Sequence, residues 1–238
     1  MEKAIRPDKK NGVKICAVIP ARNEQATIEA VVKETIKYVD TVFVIDNGSI
    51  DNTVELARRS GAEVISYVEK SGYGAVQYAG HSVAIENGFD YVLQLDADGQ
   101  HHYQYIPLLV GTALEGDYDI VLGSRFLDGD GNNISYIRKI GINFFSKAIS
   151  ILGKTRITDV TSGFKVYKVS SLKKLHKPSD THPAVEQMLE IAKKGMRIKE
   201  IPIEMQARCN GESHLNLVRF ALYPFRGVVS ILKVMLFW

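Results

Sequence analysis

Two aspartates one residue apart, Asp96 and Asp98, close the apolar run Tyr91-Val92-Leu93-Gln94-Leu95. On an extended segment alternate residues point to the same side, so both carboxylates can aim together at something beyond a strand end. Held that close they repel unless a proton or a cation lies between them, and Mg2+ or Mn2+ favours such oxygen ligands. The same residues, Asp96-Ala97-Asp98-Gly99-Gln100, also suit a simple turn that caps a helix, because Asp, Gly and Gln are common in turns. His81, His101, His176, His182 and His214 show no metal spacing and suit structural or surface roles.

The elements around the pair decide what it can meet. Residues 13–19 are apolar and β-branched and end at Pro20, which predicts a buried first strand. Ile28, Val31, Val32, Thr35, Ile36 and Val39 recur at helical spacing after Asn23-Glu24. A second strand over 41–45 breaks at Asp46-Asn47-Gly48-Ser49. Asp51 can cap a short helix over 52–60, with Gly61 as its stop. A third strand is expected over 63–68, and Ser71-Gly72-Tyr73-Gly74 turns into a helix that Gly88 closes. Four strand-helix alternations predict an α/β fold, a mostly parallel sheet with helices on both faces. Ligands bind such sheets beyond the carboxyl ends of the strands, where residues 20–24, 46–49 and 96–98 all fall. A further strand over 117–124 leads to Arg125 and then to a polar, glycine-rich loop over 128–133 that suits a lid or a plain connection.

Composition narrows the partners. The 238 residues suffice for one large domain or two small ones, and a net charge of +3 does not call for nucleic acid. Cys16 and Cys209 match no zinc or redox spacing, which fits reduced thiols in a cytosolic setting. Residues 1–10 are charged and lack the apolar stretch of a secretory leader, and nowhere do ~20 uncharged apolar residues run together as a spanning helix requires. Neither a dinucleotide-binding glycine fingerprint nor a P-loop is present.

Two segments are amphipathic in a different way. From Leu215 to Trp238 nearly every residue is apolar except Arg219, Arg226 and Lys233, which recur every seven residues and so share one stripe. Pro224 is expected to divide this tail into two short helices. Ile137, Ile140, Phe144, Ala148 and Ile151 line one face of a helix over 133–154, interleaved with Arg138, Lys139, Lys147 and Lys154. Both patterns suit helices lying in a lipid headgroup layer with basic side chains reaching outward, or packed on the core or a partner.

The motifs taken in order resemble an inverting family 2 glycosyltransferase. Val18-Ile19-Pro20-Ala21-Arg22-Asn23-Glu24 resembles the family's opening strand. Asp46-Asn47-Gly48-Ser49-Ile50-Asp51-Asn52-Thr53 resembles its acidic turn, with Asn47 in place of a second Asp. Asp96-Ala97-Asp98-Gly99-Gln100-His101 resembles its metal segment, with His102 where Pro is usual. Gly123-Ser124-Arg125-Phe126, Asp159-Val160-Thr161-Ser162-Gly163-Phe164 and Arg208-Cys209-Asn210-Gly211-Glu212-Ser213 are similar to the polyprenyl-phosphate sugar synthases of the dolichol-phosphate mannose synthase type. His214 stands where Lys is frequent, and Ile142 where a polar residue is frequent.

The resemblance implies a GT-A, nucleotide-sugar-binding fold over residues 1–212, with amphipathic interfacial helices over 213–238. It implies that Pro20, Ala21, Arg22, Glu24, Asp46, Gly48, Ser71, Gly72, Asp96, Ala97 and Asp98 line the nucleotide sugar. Asp96, Asp98 and Gln100 would hold Mg2+ or Mn2+, which would act as a Lewis acid on the departing diphosphate. A hydroxyl acceptor needs a base, whereas a phosphate monoester with its second pKa near ~6 arrives already anionic and needs positive charge. Arg125, Arg138 and Arg208, with Ser213, would grip that phosphate, and Asp96, Asp98 and Arg125 would be the catalytic set. Glu186 lies beside the apolar stripe Val185, Met188, Leu189 and Ala192, and suits either a place in the site or a solvated helix surface.

The expected activity is sugar transfer from a UDP- or GDP-sugar to a polyprenyl phosphate at the cytoplasmic face of the membrane, on which the chain would be peripheral. A small integral-membrane partner or a second copy would suit the apolar segments. Two other functions fit the same residues: transfer to a glycan hydroxyl in cell-wall or capsule assembly, and a non-catalytic nucleotide-sugar-binding subunit.

Overall fold

A computed structural model describes residues 12–67, 71–129, 131, 134–206 and 217–238, with the side chains of 217–224 excepted. Residues 1–10, Arg208, Cys209, Ser213 and His214 therefore lie outside the described residues.

The first half alternates as its periodicity predicts. Strand β1 (Ile15–Ala21) leads to helix α1 (Ile28–Thr35), β2 (Thr41–Asp46) to α2 (Thr53–Arg59), and β3 (Glu63–Ser66) to α3 (Tyr73–Glu86). Next come β4 (Tyr91–Gln94), α4 (Ile106–Gly116), β5 (Ile120–Ser124) and α5 (Tyr136–Leu152). The rest is β6 (Lys165–Lys168), the single turn α6 (Val169–Leu172), α7 (Pro183–Lys193), β7 (Ile198–Pro202) and α8 (Leu217–Phe237). Gly61 and Gly88 stop α2 and α3 with φ of 97° and 68°, a backbone shape that costs glycine nothing.

Seven strands form one sheet in the order β3-β2-β1-β4-β6-β5-β7. All neighbours are parallel except β6, which runs antiparallel to both β4 and β5. One face is covered by α1, α2 and α4 through Ile28, Val32, Ala57, Leu109 and Val110. The other is covered by α3, α5 and α7 through Val76, Phe145, Ile149, Val185 and Met188. Strand order reverses between β1 and β4, the switch point at whose carboxyl ends sheets of this kind form their ligand crevice. The carboxylate pair sits on that crevice. β6 and β7 escape a periodicity reading: Lys165 and Lys168 bracket β6, and charged residues interrupt β7.

Helix α8 corrects one expectation. It runs without a break through Pro224, although proline removes one backbone donor and crowds the preceding turn. Packing on α7 compensates. Val234 is fully buried, and Gly227 lies so close to α5 that an added Cβ would fall 2.1 Å from the Phe145 ring. Lys233 also departs from the outward-facing stripe: its ammonium turns inward, 3.2 Å from Glu186 and 4.4 Å from the centre of the Trp238 ring.

Candidate active site

The loops after β1 and β2 are built as one unit. Asn23 takes φ of 53°, which the short amide tolerates, so its backbone N–H donates to Ser49 Oγ at 2.9 Å while its Oδ1 accepts from Ile50 N–H at 2.9 Å. Glu24 N–H donates to Thr53 Oγ1 at 2.8 Å, and Asp51 caps α2 by accepting from Thr53 N–H at 3.0 Å. Asp46 is buried and accepts from Ser49 N–H at 3.2 Å across a turn whose Gly48 has φ of 70°. Asp46 therefore caps its own turn at the strand end. Arg22 Nε is buried and meets no partner among the described residues. Pro20 and Ala21 end β1 in register with Ile45 and Asp46.

Asn47 accounts for the departure from the acidic turn. Its Nδ2 donates to Ser71 O at 3.0 Å and its Oδ1 accepts from Ser71 N–H at 2.7 Å, a two-way clasp that a carboxylate cannot make. Ser71 is thus tied to the β2 end. Gly72 follows for a packing reason, because a Cβ there would fall 1.9 Å from Asp180 Cγ. Asp180 accepts from Ala75 N–H at 3.0 Å, so a residue distant in sequence caps α3, whose own N-cap is glycine.

The carboxylate pair lies on a turn just past β4, since the strand itself ends at Gln94. Leu95 and Ala97 are buried in the α1/α4 side of the core, which leaves Asp96 and Asp98 on the opposite side, both half-buried. Tyr73 Oη donates to Asp96 Oδ1 at 3.4 Å, and Asp98 Oδ1 accepts from Gln100 N–H at 3.1 Å. Gln100 Nε2 donates to Gln206 O at 3.2 Å, which leaves its amide oxygen as the group suited to a cation. No cluster of three His, Cys, Asp or Glu able to hold a metal occurs among the described residues. Two carboxylates and an amide oxygen suit a hard divalent ion that completes its shell with water and substrate phosphate.

Three residues to which the motifs assign no site role wrap Asp96. Gly163 passes so close that a Cβ would fall 2.3 Å from Asp96 Oδ2. His101 is 2% exposed; its Nδ1 accepts from Asp96 N–H at 3.3 Å, and its ring stacks on Phe164 at 4.8 Å. Burial pushes its pKa down to about 4, with Arg125 in the same sense and Asp98 and Asp159 opposing, so the ring is neutral. Lys165 on β6 is 1% exposed. Burial pulls its ammonium down to about 8 against the opposing pull of Asp159 and Asp96. The sequence signal for Gly163 is the Thr161-Ser162-Gly163-Phe164 run, whose glycine marks a close approach.

Arg125 is placed differently from a simple phosphate clamp. Its Nε and Nη2 fork onto Asp159 at 2.6 and 2.7 Å, and Nη2 also donates to Thr161 at 2.8 Å. The loop carrying Asp159 is fixed in turn by Glu200, whose carboxylate accepts from the N–H groups of Thr158 and Asp159 at 2.9 and 3.1 Å. Burial raises the Glu200 pKa despite those bonds and a further one from the Thr158 hydroxyl. Arg138 sits apart on the exposed first turn of α5. Arg208 and Ser213 lie outside the described residues, and residues 205–206 before them are stitched to the carboxylate turn: His101 pairs with Met205 in a β-bridge, and Gln206 N–H donates to Gln100 O at 2.9 Å.

Glu186 is neither solvated nor turned to the crevice. It is fully buried on α7 and accepts from Ser179 N–H at 2.7 Å, the Ser179 hydroxyl, Ser230 Oγ at 2.8 Å and Lys233 Nζ at 3.2 Å. Burial alone would raise its pKa, and these donors outweigh burial and lower it. Its contacts make it the joint between α7, the 179–180 segment and α8.

A mostly parallel sheet whose strand order reverses at β1/β4, with an acidic pair just past β4, is an α/β architecture of the GT-A type. The chain matches glycosyl transferase family 2 over residues 16–176 and belongs to that family. It is 28% identical to a dolichyl-phosphate hexose transferase of Haloferax volcanii, over 92% of this chain and 91% of that one. It is 27% identical to an undecaprenyl-phosphate mannosyltransferase of Micrococcus luteus, over 86% and 88% of the two chains. In three dimensions it is similar to glucosyl-3-phosphoglycerate synthase of Mycobacterium tuberculosis, solved with Mn2+, UDP and glucosyl-3-phosphoglycerate. That match has a TM-score of 0.74, with 22% identity over 94% of this chain and 80% of that one.

Proposed function

We propose that this chain transfers a sugar from a nucleotide-diphosphate sugar to a polyprenyl phosphate, with inversion, at the cytoplasmic membrane face. An oxygen of the acceptor phosphate attacks the anomeric carbon as the bond from that carbon to the diphosphate breaks, and the bonding pair leaves on the diphosphate. The acceptor is anionic before it arrives, so no side chain has to remove a proton. Asp96, Asp98 and Gln100 would hold Mg2+ or Mn2+, which would neutralise charge growing on the departing diphosphate. The loops bearing Arg22, Glu24, Asp46 and Gly48 would seat the nucleotide, with Ser71 and Gly72 held beside them. Arg125, Arg138, Arg208 and Ser213 are assigned to the acceptor phosphate. The names of the two relatives support this acceptor class.

The observation that carries the reading is the pairing of this acidic crevice with an apolar outer surface. Ile137, Ile140, Phe144 and Ile151 of α5 are exposed, as are Phe225, Leu232, Leu236 and Phe237 of α8. A lipid acceptor accounts for both features, whereas a water-soluble acceptor accounts for the crevice alone. No helix among the described residues is long and apolar enough to cross a membrane, so α5 and α8 would lie on the lipid surface. The deciding assay incubates the chain with radiolabelled UDP- and GDP-sugars, Mg2+ or Mn2+, and polyprenyl phosphate in vesicles. Label should enter the organic phase only when metal and lipid are both present. Absence of lipid-linked product across the donors, with label passing to a glycan instead, would assign a hydroxyl acceptor.

A further inference from the structure

His101 holds a hydrogen-bond donor for which the described residues offer no acceptor within reach. Because Nδ1 accepts the Asp96 N–H it carries no proton, which leaves the ring proton on Nε2. That nitrogen is buried and unpartnered, and Asp96 Oδ2 is 3.9 Å away. A buried N–H without an acceptor is costly, and a closure of about 1 Å would bring this pair to hydrogen-bond distance. The ring is stacked on Phe164, and the backbone that carries it is held by a β-bridge to Met205. The carboxylate is the movable member. Gly163 lies against Asp96 Oδ2, where an added Cβ would fall 2.3 Å from it.

We propose that His101 is a positioning residue of the donor site: when the nucleotide sugar binds, Nε2–H donates to Asp96 Oδ2 and fixes that carboxylate with Oδ1 presented to the donor. Oδ1 is the oxygen already on the Tyr73 side. The inference rests on the reading of Asp96 as part of the nucleotide-sugar site and is independent of the acceptor.

Two conservative substitutions separate the two ring nitrogens. His101→Gln keeps an N–H donor near the Nε2 position, and His101→Asn keeps an acceptor near the Nδ1 position. Donor hydrolysis to free sugar and Mg2+-dependent donor binding are measured beside transfer, so failure of lipid transfer alone counts against the acceptor reading and leaves this comparison intact. His101→Gln should stay within about threefold of wild type in kcat, and His101→Asn should lose at least about tenfold with donor KM changed far less. The opposite ranking, or equal loss in both, would reduce His101 to a turn-holding or packing residue and overturn the proposal. Should either variant unfold, nitrogen-15-labelled histidine in the wild-type chain supplies the second measurement. Addition of Mg2+ and the nucleotide sugar that binds should move the Hε2 resonance downfield and slow its exchange. An unchanged resonance overturns the proposal as well.

Discussion

Asn47 and Asp98 differ in what their side chains address at the crevice. Asn47 works on the protein, through a donor and an acceptor aimed at the Ser71 backbone. Asn47→Asp keeps the shape and loses the donor, so about 1 kcal/mol of loop anchoring should go and nucleotide affinity should fall severalfold, read by calorimetric titration. Asp98 is assigned to the bound metal. Asp98→Ala should abolish the metal dependence of donor binding and lower transfer by at least about 100-fold with the melting temperature little changed. Retention of full activity would remove Asp98 from the metal site. The motif residues were legible because backbone turns accept few side chains: Gly48 at positive φ, Asn23 in the left-handed region, Asp46 as a cap. Gly72 was legible as a glycine but not for its reason, since Asp180, against which it packs, lies in a distant segment. Buried Lys165 was not legible at all, because alternation rules place a lysine outside and only the tertiary field of Asp96 and Asp159 brings it in.

Among the elements, α7 and α8 meet through a buried carboxylate whose protonation should be measurable. The Glu186 pKa is lowered in the folded chain relative to its ordinary value of 4.5, so the unfolded chain binds the proton more readily. The stability it contributes is present above about pH 4.5 and is lost as pH falls through the folded value. Melting curves from pH 6 to pH 3 should therefore converge for wild type and Glu186→Gln, with the variant about 1–3 kcal/mol less stable near neutrality. A constant gap across that range would exclude an ionised joint. Helix periodicity revealed only part of these elements. On α5 the reading found the face of Ile137, Ile140, Phe144 and Ile151, which is the exposed one, whereas Ile142, Phe145 and Ile149 turn to the core. A helix apolar on two faces has no single stripe from which to choose the buried side. Pro224 misled for a related reason: its local cost is real, but α8 is held by contacts to α7 that sequence spacing does not display.

Across the whole molecule, the exposed apolar side chains of α5 and α8 should govern attachment to lipid. Replacing Ile137, Phe144, Leu232 and Leu236 with serine removes side chains that make little core contact, so the melting temperature should barely move. Each buried side chain of this size contributes about 1.5–3 kcal/mol, so flotation with anionic vesicles should weaken by at least about 100-fold if only two of them insert. Unchanged flotation would assign that surface to a protein contact. The sheet carries a different consequence, one of timing. β4 pairs with β1 on one edge, and on the other it waits for β6, which is encoded about seventy residues later. At synthesis rates of about 5–20 residues per second, the apolar edge Tyr91-Val92-Leu93-Gln94 stays unpaired for roughly 4 to 14 s on the ribosome. A nascent chain arrested before Lys165 is thus the species most prone to strand-to-strand aggregation, and the one a chaperone would be expected to hold.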